Sequence, residues 1–90
     1  MRYYLSVKYA YKEYGDIFIL FAKTSNPNNE FYELNNMGKV IIKFIISQQC
    51  VTKEELFDFL KESEIGEFDR EDISNFLDIL VERGALCLKN

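Results

Sequence analysis

The chain of 90 residues contains no histidine and no tryptophan, one proline, two cysteines and four scattered glycines. Without histidine it lacks the commonest general base and the commonest metal ligand near neutral pH. Cys50 and Cys87 lie far apart in sequence and cannot make a structural zinc site by themselves. A cysteine nucleophile without a histidine partner would be unusual. No glycine-rich run is present that could cradle a phosphate. These absences argue against an enzyme and call for no cofactor or metal. The longest apolar run, Ile17 to Ala22, is too short to cross a bilayer. No secretory apolar segment follows Met1-Arg2. The expectation is a cytoplasmic protein that does not engage membranes and keeps its thiols reduced.

What is present is apolar. Hydrophobic residues make up 48% of the chain and aromatic residues 16%, including six tyrosines and eight phenylalanines. That suffices for the core of one domain over residues 1–90, and most of the aromatics are needed to build it. The net charge is −4, from 11 basic and 15 acidic residues. A nucleic-acid partner is therefore not expected, because phosphate binding needs a basic footprint. Arg2, Lys8 and Lys12 sit near the N-terminus, and the acids concentrate after residue 53.

The hydrophobic period changes midway. Over residues 3–11, Tyr3, Leu5, Val7, Tyr9 and Tyr11 alternate with Tyr4, Ser6, Lys8 and Ala10, as in a half-buried strand. Glu13-Tyr14-Gly15-Asp16 reads as a turn. Ile17 to Ala22 is apolar on both faces, which suits a central strand. Thr24 to Asn29 is a loop, and Glu30 to Leu34 reads as a short third strand. Strands thus occupy about 3–34 and helices about 36–84. Asn35 or Asn36 caps a first helix, whose stripe is Met37, Val40, Ile41, Phe44 and Ile45, widened by Ile42 and Ile46. Thr52-Lys53-Glu54-Glu55 is a capping-box sequence opening a second. Asp69 caps a third helix with a stripe of Ile73, Phe76, Leu77, Leu80 and Val81. Gly84 falls where a left-handed cap belongs, and Ala85 to Leu88 suits a last short strand. Three antiparallel strands followed by three helices make an α+β domain of winged helix-turn-helix type.

Across this frame run Phe31-Tyr32-Glu33-Leu34-Asn35, an apolar helix, Thr52-x-x-Glu55-Leu56, Asp69-x-x-Asp72-Ile73-x-x-Phe76-Leu77-x-x-Leu80 and Glu82-Arg83-Gly84-Ala85-Leu86. In order and spacing, over nearly the whole chain, the pattern resembles the PqqD-like family, the precursor-recognition elements of ribosomally synthesised, post-translationally modified peptide biosynthesis. The resemblance implies non-catalytic binding of the leader segment of a precursor peptide. It implies delivery to a modifying enzyme: a radical-SAM enzyme, a cyclase such as a cyclodehydratase, a lanthipeptide dehydratase or a leader peptidase. It also implies where the leader docks, as a strand added to the third strand, in a groove against the third helix.

The residues themselves allow that use. An edge strand offers unpaired N–H and C=O groups to an incoming chain. On this reading the peptide-binding residues are Glu30, Phe31, Tyr32, Glu33 and Leu34 on the strand, with Asp72, Phe76, Ile79 and Arg83 on the third helix. The plainer alternative is an edge strand that nothing pairs with, kept apart by Glu30 and Glu33. Asp72 suits the positive start of the helix, and Arg83 its negative end. Cys50 and Cys87 read as small buried hydrophobes. The second face of Ile17 to Ala22 needs a cover, from the tyrosines of the first strand and the loop at 24–29, or from a homodimer or enzyme partner. The rivals are a winged-helix DNA-binding domain reading with residues 70–83, where Glu71, Asp72, Asp78 and Glu82 outnumber Arg70 and Arg83, and a generic protein-interaction subunit. Met1 and the chain's ending suit a free-standing protein, and a domain cut from a larger enzyme would read alike.

Overall fold

The computed structural model describes residues 1–23 and 31–90, so the expected loop at 24–29 and the site residue Glu30 lie outside the described residues. Among the described residues the chain is α+β, with the order β1 (Arg2–Leu5), β2 (Tyr9–Tyr14), β3 (Ile17–Ala22), β4 (Phe31–Leu34), α1 (Asn36–Gln48), α2 (Lys53–Glu62), α3 (Arg70–Glu82) and β5 (Leu86–Lys89). The strands form two antiparallel sheets, β1-β5 and β2-β3-β4. None of the helices is long and apolar enough to cross a membrane.

The expected first strand over residues 3–11 is in fact two strands in two different sheets. Ser6 makes the break. Its hydroxyl accepts a hydrogen bond from the Lys8 amide at 3.1 Å, and its carbonyl accepts one from the Tyr9 amide at 3.0 Å. Such local side-chain bonds compete with a continuing strand. Val7, expected on the inner face, is 82% exposed as a result. β1 turns away to pair with β5, with Leu5 opposite Leu86, and Tyr3 bridges to Val51 through two backbone bonds of 2.7 and 3.0 Å. β2 and β3 form a hairpin in which Tyr14 pairs with Ile17. Gly15, at the first of its two loop positions, has φ +56°, a left-handed conformation open to glycine at little cost.

The helices begin as their caps dictate. The Asn35 side chain accepts the Gly38 amide at 2.8 Å. Thr52 and Glu55 complete their reciprocal box, the Thr52 hydroxyl accepting from the Glu55 amide and the Glu55 carboxylate from the Thr52 amide. Asp69 accepts the Glu71 amide at 2.8 Å. α3 closes on a Schellman arrangement: the Ala85 amide reaches the Leu80 carbonyl and the Gly84 amide the Val81 carbonyl, with Gly84 at φ +86°.

Antiparallel partners share a sheet face, which sorts the β2-β3-β4 sheet into two sides. Phe18 and Leu20 of β3, with Leu34 of β4, face the helices and are buried among Ile41, Ile42, Ile45 and Leu77. Burying each such large side chain stabilises the fold by roughly 1.5–3 kcal/mol. Tyr9 and Tyr11 of β2 lie on this same inner side, opposite Ala22 and Leu20, and Tyr11 stacks on Phe18. The tyrosines of the expected first strand therefore do not cover the other face of β3, as one reading of the sequence had it. Cys50 and Cys87 are free thiols, half-buried and not buried as expected. Cys87 sits on the less buried side of β5, opposite Tyr4.

Candidate functional site

In the order β2-β3-β4 the last strand has a partner on one side only. Its other edge carries backbone amides and carbonyls with no strand beside them among the described residues, the chemistry that accepts an added strand. Two contacts fix α3 alongside this edge. At one end the Arg83 guanidinium lies over the Tyr32 ring, 5.8 Å from its centroid. At the other, Phe76 packs against Gly38 of α1, so closely that a methyl group on Gly38 would stand 3.3 Å from the ring's Cζ and 3.4 Å from Leu34 Cβ. Tyr32 thus meets the C-terminal end of α3, while Leu34 lies nearer its middle, across Gly38 of α1, so the strand and the helix run in opposite directions.

Asp72, Phe76, Ile79 and Arg83 are spaced by four, three and four residues, which places them on one stripe of α3. Ile73, Leu77 and Leu80 are buried on the neighbouring stripe. Phe76 is half-buried, whereas Ile79 is 49% exposed. A large exposed aliphatic group between Phe76 and Arg83 gives this stripe an apolar centre with opposite charges at its ends.

Beyond Phe76 the stripe runs into a pocket of about 350 Å³ between the starts of α1 and α3. Met37, Ile41, Ile73 and Phe76 supply apolar walls, and Asp69 and Asp72 stand at its rim. Asp69 is already engaged by the amides it caps.

The sequence-predicted residues divide accordingly. Tyr32, Asp72, Phe76, Ile79 and Arg83 fall along the β4–α3 line. Phe31 and Glu33 do not, because they pair with Phe21 and Ile19 and point to the opposite side of the sheet. Toward the β4–α3 line they present only their backbone. Leu34 is buried against Phe18 and belongs to the floor of the core. Gly38 and Asn35, which edge the pocket, are not among the expected site residues. The signal for Gly38 is its missing side chain, which leaves room for the Phe76 ring.

Compared with models of protein families, with curated proteins and with solved structures, the chain matches none of them.

Proposed function

We propose that the protein is a non-catalytic peptide-recognition module of PqqD-like type, binding the leader segment of a ribosomally made precursor peptide and presenting it to a modifying enzyme or leader peptidase in the cytoplasm. The observation that carries this reading is the outer edge of β4, which no strand joins among the described residues, lying beside the stripe Asp72–Phe76–Ile79–Arg83 of α3. The leader adds to β4 by backbone hydrogen bonds. Its alternate side chains turn toward α3, where Phe76 and Ile79 supply apolar contact and Arg83 selects an acidic group. The pocket beyond Phe76 receives one larger apolar side chain. In the winged helix-turn-helix reading of the fold, α2 and α3 form the helical pair and the β2-β3 hairpin is the wing. α3 carries more acids than bases, which suits a peptide better than a duplex.

The test is fluorescence polarisation of a labelled leader peptide from the precursor encoded beside this protein's gene. Saturable micromolar or tighter binding that survives high salt is the expected result. Absence of binding, together with salt-sensitive binding to duplex DNA, would overturn the proposal.

A further inference from the structure

Among the described residues no helix covers the outer face of the β2-β3-β4 sheet, yet that face is apolar. Ile17, Ile19 and Phe21 line its middle. Phe31 is 67% exposed on one flank and Tyr14 is 54% exposed on the other. The charges on this face are placed in register. Lys12 pairs with Ile19, and Ile19 with Glu33, so one row across the sheet reads cation, aliphatic, anion. The next row reads Ala10, Phe21, Phe31, small at one flank and large at the other.

We propose that this face docks a second copy of the same chain, about a twofold axis running along β3 in the plane between the two sheets. A twofold contact uses the same patch on both copies, so the patch must complement itself. Rotation about an axis along β3 lays β2 of one copy over β4 of the other. Lys12 then meets the partner copy's Glu33, Ile19 meets Ile19, and the large Phe31 falls opposite the small Ala10. Tyr14 falls beyond the end of the opposing β4, which stops at Leu34. Rotation about the perpendicular in-plane axis would lay Lys12 over Lys12 and Glu33 over Glu33, a like-charge arrangement that disfavours association. The charges therefore select one of the two ways of stacking the sheets.

The face is small. Three strands at about 4.8 Å spacing and six residues at about 3.3 Å each cover roughly 200–300 Å². A standard interface buries about 800 Å² per partner. The dimer is accordingly weak and reversible, forming in the high micromolar range.

Sedimentation velocity from about 10 µM to about 1 mM, the range such a small interface calls for, tests the proposal. Wild type is expected to shift from monomer toward dimer. Lys12→Glu and Glu33→Lys should each weaken association at least about tenfold by facing like charges, and the double variant should restore it. Ala10→Phe should also abolish dimers, with Phe31→Ala added to it restoring them. These positions are outside the core, and far-UV circular dichroism checks that each variant keeps the fold. A wild type that stays monomeric throughout overturns the proposal, as do single charge variants that associate like wild type or a double variant that fails to recover.

Discussion

Arg83 holds its guanidinium over the ring of Tyr32, with the guanidinium carbon 5.8 Å from the ring centroid. The contact ties the C-terminal cap of α3 to the middle of the edge strand. It sets the separation at one end of the groove and keeps a cation beside the edge strand.

A double-mutant cycle should register that contact. Arg83→Ala and Tyr32→Ala, alone and together, are expected to show a coupling of about 0.5–1 kcal/mol in urea unfolding, as for a partly exposed cation–π pair. Arg83→Ala should also weaken leader binding in fluorescence polarisation. Strictly additive unfolding effects would mean that the two residues do not support each other.

Phe76 and Ile79 separate binding from stability. Ile79 is exposed, so Ile79→Asp is expected to leave the unfolding midpoint near that of wild type while lowering leader affinity about tenfold or more, the scale of a lost apolar contact at a binding site. Phe76→Asp should lower affinity as well, and its packing against Gly38 adds a loss of stability. Undiminished leader affinity in both variants would remove the α3 stripe from the site.

Glu13 gives the fold a pH dependence of known sign. Hydrogen bonds from Lys39, and then from Lys43, hold its carboxyl below the ordinary carboxylate range. A carboxyl whose folded value is depressed stabilises the native state above its unfolded value, and that contribution fades as pH falls through the folded value. The urea midpoint of Glu13→Gln should therefore lie below that of wild type near neutral pH and converge with it toward roughly pH 3. A constant gap between the two proteins across this range would show that the ion pairs contribute nothing.

Gln49 ends α1 with φ +72° and ψ −44°, a region that side chains disfavour. Gln49→Gly relieves this strain and is expected to raise stability by roughly 1 kcal/mol, less the extra entropy glycine brings to the unfolded chain. Thermal unfolding measures it, and a lowered midpoint would contradict the expectation.

Local chemistry made much of this legible in advance. β3 was readable over its full length because a run of β-branched and aromatic residues is bounded by turn residues on both sides. The starts of α1, α2 and α3 were readable because Asn35, Thr52 and Asp69 satisfy amides only two or three residues away. Gly84 was readable for the same reason. The stripe of Asp72, Phe76, Ile79 and Arg83 follows from helical spacing once α3 is recognised.

The break at Ser6 was not legible. Alternation runs unbroken from Tyr3 to Tyr11, and period two is blind to which sheet a strand joins. The choice rests on Val51, Ala85 and Leu86, distant in sequence, which claim β1 through backbone bonds. The facing of β4 was equally hidden, because a four-residue strand fits either way up until Leu34 is placed opposite Phe18. By itself the sequence determined β3, the helices and their caps, since these depend on neighbours within a turn. Only the tertiary structure decided that β4 is an edge, that Tyr32 and not Phe31 faces α3, and that Lys12, Ile19 and Glu33 share a row. Those facts depend on pairing between strands, which no local period encodes.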